Sequence, residues 1–266
     1  MAKFGFIGAG NMGGALAKAA VKTLGDQVTL SDKAADKAAA LAAQLGCKDA
    51  SVAKVAETCE YIFLGVKPQV MAYLFAEIAP ILAKRTDRFV LVSMAAGLTI
   101  SRIHQLAGDD YPIIRIMPNT PASVGEGMIL YATENVSDGE IETFLSGMAK
   151  AGKFCPLAEN LIDAGSALSG CGPAYVCLFL EALADGGVAC GLPRQQALEL
   201  SCQTLLGTAK LVSESGQHPG ALKDAVCSPG GSTIAGVAAL ENGCLRGTVM
   251  EAVAEAFRRT KELGNN

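Results

Sequence analysis

Six residues near the N-terminus have the types and the spacing of a phosphate-binding loop. The segment reads Gly8-Ala9-Gly10-Asn11-Met12-Gly13, which is the pattern G-x-G-x-x-G. In this pattern the first glycine allows a tight turn, the second lets the backbone approach a pyrophosphate, and the third lets a helix pack close to a strand. The free N–H groups at the start of that helix attract the phosphates. The loop therefore indicates a nicotinamide or flavin dinucleotide site, and the alternative is a purely structural turn.

The flanking residues predict the elements that such a loop requires. The apolar run 3–7 predicts a strand directly before the loop, and the alanine- and leucine-rich residues after it predict a helix. A second predicted strand, 27–30, ends at Ser31-Asp32-Lys33, where a ribose-contacting residue is expected. Asp32 would bind the ribose hydroxyls of NAD, whereas Ser31 and Lys33 would hold the 2′-phosphate of NADP. The segment leaves the choice between the two cofactors open.

Strands and helices alternate up to about residue 160. Further strands are predicted at 61–66, 88–93, 113–117, 127–132 and 154–157, and the intervening helices at 33–45, 52–59, 71–82 and 138–149. Such alternation predicts an α/β fold in which residues 1–160 form a Rossmann domain with a doubly wound, mostly parallel sheet.

The remaining residues, 161–266, predict an all-α domain. Its helices are expected at 162–168, 173–190, 195–214, 220–226, 233–242 and 244–263. The helix at 173–190 is apolar around much of its circumference, so it is buried either inside its own domain or against another subunit. With only about a hundred residues available to cover it, we favour a homodimer interface.

Two kinds of segment in this layout could carry chemistry. Ligands of doubly wound sheets bind at the carboxyl ends of the strands, where Val66-Lys67-Pro68, Ala95-Ala96-Gly97 and Asn119 lie. Asn119 could bond a carboxamide or a ribose, although glycines and prolines also simply punctuate loops. In the second half, Gly230-Gly231-Ser232-Thr233 would present free backbone N–H groups to a small carboxylate. The alternative there is an ordinary helix N-cap.

Composition narrows the class of protein. The 266 residues carry a net charge of −4, which argues against a nucleic-acid surface and favours small soluble ligands. The sequence contains two histidines, which are few ligands for a histidine-based metal site, so we expect no metal. The nine cysteines never form C-x-x-C and indicate reduced thiols, hence the cytoplasm. Neither a secretory signal nor a membrane span is expected.

Motifs along essentially the whole chain resemble those of pyrroline-5-carboxylate reductase. They are Gly-Ala-Gly-Asn-Met-Gly at 8–13, Val-Lys-Pro at 66–68, Met-Pro-Asn-Thr-Pro at 117–121, Ser-Gly-Cys-Gly-Pro-Ala-Tyr at 169–175, Ala-Leu-Ala-Asp-Gly-Gly-Val at 182–188, Gly-Leu-Pro-Arg at 191–194 and His-Pro-Gly-x-Leu-Lys-Asp-x-Val-x-Ser-Pro-Gly-Gly-x-Thr at 218–233. The last of these is highly specific.

The resemblance implies hydride transfer from NAD(P)H to the C=N carbon of 1-pyrroline-5-carboxylate, which yields L-proline in the last step of proline biosynthesis. It implies a homodimer, or a larger oligomer of dimers, whose helical domains intertwine and whose active sites are shared between subunits. NADPH is the usual cofactor, and NADH is possible because Ser31-Asp32-Lys33 stands where many relatives have Ser-Asn-Arg. Ser232 also departs from the Ala or Thr of relatives, but any of these supplies the same backbone amide.

The resemblance also assigns residues to the site. Thr233 would hydrogen-bond the ring nitrogen as the catalytic residue, and the amides of Gly231, Ser232 and Thr233 would hold the carboxylate. The predicted substrate-binding residues are Gly230, Gly231, Ser232, Thr233, Lys67 and Asn119. The predicted cofactor-binding residues are Gly8, Ala9, Gly10, Asn11, Met12, Gly13, Ser31, Asp32, Lys33, Val66, Lys67, Pro68, Ala95, Ala96, Gly97 and Asn119.

Two other functions compete with this interpretation. A β-hydroxyacid dehydrogenase shares the Rossmann-plus-helices plan but needs a lysine acid/base near the start of the second domain. Residues 169–176 contain Gly170 and Gly172 but no lysine, which counts against alcohol oxidation. A non-enzymatic dinucleotide sensor would bind the cofactor without turnover and would have no need for the segment 228–233.

Overall fold

A computed structural model describes residues 3–264, and its centre is one eight-stranded sheet. The strands are β1 (Phe4–Ile7), β2 (Val28–Ser31), β3 (Lys48–Asp49), β4 (Tyr61–Leu64), β5 (Val90–Ser93), β6 (Ile113–Met117), β7 (Gly127–Glu134) and β8 (Gly152–Pro156). Their order is β3-β2-β1-β4-β5-β6-β7-β8. Neighbouring strands are parallel except β6 and β7, which are antiparallel. The predicted doubly wound, mostly parallel sheet is confirmed.

Helices cover both faces of this sheet. They are α1 (Asn11–Leu24), α2 (Ala35–Leu45), α3 (Val52–Thr58), α4 (Met71–Leu82), α5 (Ile100–Ala107), α6 (Asp138–Gly147) and α7 (Ile162–Ser169). On one face Ile62 and Leu64 of β4 pack with Phe75 of α4. On the other face Phe63 of β4 stacks on Phe6, with ring centroids 4.1 Å apart. Because side chains alternate along a strand, a strand buried on both faces is apolar throughout, as β4 is.

The described chain divides into two compact units. The first contains the sheet, extends to Cys171 and includes the described residues from Ala256 to Gly264, and the second is Gly172–Glu255. The second unit is helical, with α8 (Gly172–Ala189), α9 (Arg194–Ser215), α10 (Pro219–Val226), α11 (Ser232–Asn242) and the start of α12 (Leu245–Gly264). The predicted change from an alternating to an all-helical pattern is confirmed. The domain boundary at 160/161 stays a prediction, and α7, which follows it, packs on β7 within the first unit.

Several local predictions differ from the structure, among them those for α5 and β5. Helix α5 was not predicted, although Ile100, Ile103 and Ala107 have helical spacing and are buried. Its N-terminus is capped by Thr99, whose hydroxyl accepts the N–H of Arg102. Strand β5 begins at Val90 rather than at residue 88, because Arg88 turns outward to pair with Glu140 at 2.7 Å.

A buried ion cluster fastens α7 to the sheet. The Arg115 side chain of β6 is 2% exposed and pairs with Glu159 at 3.1 Å and with Asp163 of α7 at 3.0 Å. The same Glu159 carboxylate accepts the N–H of Ile100 at the start of α5. The Arg115 guanidinium thus joins β6 to Glu159 and to α7. A charge so buried is tolerated only when it is paired.

Arg115→Ala is expected to destabilise the first unit by roughly 3 kcal/mol, because it removes the partner of two carboxylates and opens a cavity. Urea unfolding followed by circular dichroism measures the loss. The matched control is Lys54→Ala, which breaks an exposed Lys54–Glu57 pair on α3 and is expected to cost less than about 0.5 kcal/mol. Equal, small losses in the two variants would show that the buried cluster contributes no more than a surface pair.

Candidate active site

The glycine-rich loop joins β1 to α1 in a turn that excludes side chains. Gly8 has a φ of +110°, and a Cβ there would lie 2.4 Å from the carbonyl oxygen of Gly65. A Cβ on Gly13 would lie 2.1 Å from the carbonyl oxygen of Gly8. The Gly8 N–H donates to the Ser31 carbonyl at 2.7 Å, and the Gly65 N–H donates to Ile7. The loop is therefore held between β2 and β4, and two of its glycines are sterically required.

Gly10 forms an open cradle at the start of α1. It is the N-cap residue with a φ of −71°, and a Cβ built on it would meet no atom within 4 Å. No side chain caps α1, and its first turn contains no acidic residue. Within the described residues the N–H groups of Asn11, Met12 and Gly13 bond no protein acceptor. These free amides and the open space beside Gly10 fit a pyrophosphate.

The three residues at the end of β2 take three different positions. The Ser31 side chain is buried, and its hydroxyl has no hydrogen-bond partner among the described residues. The Asp32 carboxylate accepts the N–H of Ala9 at 2.8 Å and that of Ala34 at 3.0 Å. Lys33 is exposed and forms no ion pair in the described part of the chain. Lys33 is thus an available cation at this edge of the sheet, whereas the hydroxyl of Ser31 is turned away from solvent.

A cavity of about 600 Å³ opens beside the loop. Gly8, Asp32, Lys33 and Val66 line it, which brings three of the predicted strand-end segments together. The remaining wall was not predicted and consists of Ile7, Val52, Val70, Tyr73, Leu74 and Glu77. An apolar pocket with a few polar groups at its rim suits an adenosine, whose base is flat and weakly polar.

The other strand-end residues lie outside that cavity. Lys67 is exposed and precedes a short 3-10 helix that begins at Pro68. After β5, Ala95 is buried, Ala96 is exposed, and Gly97 turns the chain with a φ of +76°. All of them follow the carboxyl ends of β4 and β5, as expected, and their contact with a cofactor stays a prediction.

The amide of Asn119 is already engaged within the first unit. Its Oδ1 accepts the N–H of Met128 at 2.9 Å, and its Nδ2 donates to the carbonyl of Ser169 at 3.0 Å. The residue is 9% exposed. Binding of a carboxamide or a ribose by Asn119 would need one of these bonds to be exchanged, so the structure places it as a link between β6, β7 and α7.

The second unit presents an uncapped helix N-terminus at α11. Gly230 turns the chain with a φ of +68°, and a Cβ on Gly231 would lie 2.3 Å from the Ser228 hydroxyl. Of the three amides predicted to hold a carboxylate, that of Gly231 donates to the Ser228 carbonyl at 3.0 Å. The amides of Ser232 and Thr233 have no acceptor among the described residues, and both side chains are exposed. Two free amides and a hydroxyl thus meet at the start of the helix.

Each of the two histidines contacts the backbone through one ring nitrogen. His104 Nε2 lies 2.9 Å from the carbonyl of Tyr111, and His218 Nδ1 accepts the N–H of Gly220 at the start of α10. No group of three or more histidine, cysteine or acidic side chains that could hold a metal occurs within residues 3–264. The nine cysteines are all free thiols.

The fold and these two segments define a class of protein. A doubly wound sheet with a glycine-rich loop and an uncapped α1 is the architecture of a Rossmann-type, dinucleotide-dependent oxidoreductase. In the comparisons with known proteins, the N-terminal and the C-terminal parts of the chain match two different family models. Residues 3–97 match the family described as NADP oxidoreductase, coenzyme F420-dependent, and residues 159–263 match the family described as pyrroline-5-carboxylate reductase dimerisation.

Complete relatives make the assignment specific. The chain is 40% identical to pyrroline-5-carboxylate reductase of Escherichia coli, covering 99% of both chains. It is 47% identical to the Glycine max enzyme over 79% of this chain and 75% of that one. The chain belongs to the pyrroline-5-carboxylate reductase family.

Solved structures of relatives agree with this assignment. A pyrroline-5-carboxylate reductase of Coxiella burnetii superimposes with a TM-score of 0.91 at 30% identity, covering 98% of both chains. A Plasmodium falciparum pyrroline carboxylate reductase with NADP bound gives a TM-score of 0.87 at 32% identity, covering 99% of this chain and 98% of that one.

Sequence reasoning missed part of the cavity wall. Tyr73 and Glu77 lie one helical turn apart on α4, and Val52 begins α3. The i, i+4 spacing of Tyr73 and Glu77 predicts that they share one face of α4. The local sequence does not indicate that this face borders the glycine-rich loop. Only the packing of α4 beside β4 brings them there.

Proposed function

We propose that this protein reduces 1-pyrroline-5-carboxylate to L-proline with NADPH, the final step of proline biosynthesis. The observation that carries the proposal is the pair of free backbone amides at Ser232 and Thr233. They lie at the exposed start of α11, where Thr233 also carries a hydroxyl. A helix N-terminus of this kind favours a small carboxylate. Similarity over the full length of known reductases supports the same reaction.

The bound cofactor supplies a hydride, and the chain supplies binding and orientation. The amides at the start of α1 would hold the pyrophosphate, and the cavity beside the loop would take the adenosine. The amides of Ser232 and Thr233 would hold the substrate carboxylate, while the Thr233 hydroxyl bonds the ring nitrogen. A cyclic imine is basic enough to carry its own proton, so no strong acid is needed.

A spectrophotometric assay tests the proposal. Purified protein is mixed with pyrroline-5-carboxylate and NADPH or NADH, and the loss of nicotinamide absorbance is followed. We expect consumption of the cofactor and formation of proline, and no oxidation of β-hydroxyacids. Cofactor binding without consumption would instead support a dinucleotide sensor, and no binding at all would remove both interpretations.

We also propose a homodimer formed through the helical unit. Leu178 of α8 is 67% exposed and Leu206 of α9 is 62% exposed. Other large apolar residues of these two helices are exposed as well. By length and composition alone the stretch Glu159–Ala189 could cross a membrane, with a mean hydropathy of 1.5. A subunit interface needs the same apolar surface, and the dimerisation family matches this region.

Nine free thiols suit a cytoplasmic enzyme.

Leu178→Glu is expected to convert the oligomer to monomers, because it places a charge in the apolar surface that the subunits would bury. Light scattering coupled to size-exclusion chromatography measures the mass. Ala43→Glu, which adds the same charge to an exposed position of α2, serves as the matched control and is expected to keep the oligomer. If the mass of Leu178→Glu equals that of the control, the interface lies elsewhere.

A further inference from the structure

We infer that Asp32 acts mainly as a positioning residue for the glycine-rich loop, and that selecting NADH through its ribose hydroxyls is not its main role. The inference rests on the proposed function, since it concerns the cofactor of that reaction. A carboxylate just after β2 usually indicates NAD, because it binds the 2′-hydroxyl and repels a 2′-phosphate. In this chain the hydrogen bonds of Asp32 indicate a different role.

Both oxygens of the Asp32 carboxylate are engaged with backbone amides. Oδ2 accepts the N–H of Ala9 in the loop at 2.8 Å, and Oδ1 accepts the N–H of Ala34 just before α2 at 3.0 Å. Hydrogen bonds to a charged acceptor are stronger than those between neutral groups. Asp32 therefore ties the glycine-rich loop to the start of α2.

The bond to Ala9 acts directly on the pyrophosphate cradle. Ala9 is 4% exposed and immediately precedes Gly10, whose backbone begins α1. Its neighbour Gly8 is held by the Ser31 carbonyl at 2.7 Å. Two consecutive loop amides are thus bonded to two consecutive residues of the β2 end. This arrangement orients the following free amides before any phosphate arrives, which lowers the cost of binding.

The charges around Asp32 agree with this role. Its negative charge is stabilised by two amide dipoles, and Lys33 beside it is exposed with no ion pair in the described part of the chain. A 2′-phosphate would therefore meet an available cation together with a carboxylate whose charge is partly offset. The electrostatic repulsion between a carboxylate in this position and the 2′-phosphate of NADPH is therefore reduced.

The test compares Asp32→Asn with Asp36→Asn by calorimetric titration with NADPH and with NADH. Asparagine has the same shape, but its single carbonyl oxygen can serve only one amide and its NH₂ faces the other. We expect Asp32→Asn to weaken both cofactors by about tenfold. Asp36, on the first turn of α2, bonds no loop amide within the described residues. Its variant removes the same charge and is expected to leave NADPH affinity equal or slightly higher.

The sign of the NADPH effect decides between the two roles. If Asp32→Asn lowers the affinity for NADH alone and leaves the affinity for NADPH unchanged or higher, Asp32 binds the ribose hydroxyls and the inference is wrong. Asp32→Ser, which retains one acceptor, is the second variant should Asp32→Asn fold poorly. Hydrogen exchange of the Ala9 amide in the free protein gives an independent readout and should be faster in the variants. Should the wild type bind neither cofactor, the proposed function fails, while exchange at Ala9 still decides whether Asp32 holds the loop.

Discussion

Gly10→Ala is expected to fold as the wild type does and to lose most of its affinity for NADPH. The φ of −71° suits any residue, and the new Cβ would meet no protein atom within 4 Å, so the substitution introduces no strain. The methyl group would occupy the space in which a pyrophosphate approaches the backbone. We expect the dissociation constant to rise by about tenfold to a hundredfold, or roughly 1.4–2.8 kcal/mol. Calorimetric titration measures it.

The matched control is Gly139→Ala on α6, where a Cβ also meets nothing within 4 Å and no cofactor is expected. Both variants should keep the thermal unfolding temperature of the wild type within a few degrees. Only Gly10→Ala should lose cofactor affinity. Gly10→Val should lose more, because its side chain fills more of the cradle. Unchanged NADPH binding in both Gly10 variants would place the pyrophosphate elsewhere.

Thr233→Val is expected to lower kcat by about a hundredfold while the affinity for NADPH stays within about twofold. Valine has the shape of threonine but lacks the hydroxyl proposed to bond the ring nitrogen. The affinity for proline should fall as well, because proline loses the same hydroxyl contact, although the backbone amide of residue 233 remains. Steady-state kinetics with pyrroline-5-carboxylate, together with titrations of NADPH and proline, separate these effects.

Thr133→Val is the matched control for Thr233→Val. Thr133 is an exposed residue of β7, a strand in which valine is readily accommodated. It is expected to change neither kcat nor cofactor affinity. A Thr233→Val enzyme with the kinetics of this control would remove the hydroxyl from the reaction and leave α11 with an anion-binding role only.

Much of the fold could be predicted because its signals are local. The motif at 8–13 specifies a strand, a turn and a helix within a dozen residues, and the structure has β1 and α1 there. In the second half, prolines and glycines mark the starts and ends of helices α8 to α12 to within one or two residues. The helix α5 was missed although its apolar spacing was present.

The candidate site was predictable as a set of segments but not as a set of contacts. The Asp32 carboxylate was expected to face a ribose, yet it bonds Ala9 and Ala34. The Gly231 amide was expected to face a carboxylate, yet it donates to Ser228. Asn119 was expected to face a cofactor, yet both ends of its amide bond the protein. These contacts within the protein were not foreseen, and the binding of a ligand by the three residues stays a prediction.

The sequence by itself determined the class of fold, the position of the dinucleotide loop and the family, because each depends on residue types at short spacing. The tertiary structure alone decided which amides are free and which polar side chains are engaged. It also decided that Tyr73 and Glu77 of α4 border the cavity. The physical reason is that a hydrogen bond depends on the direction and distance of groups on separate elements, and these are set only when the sheet and its helices pack together.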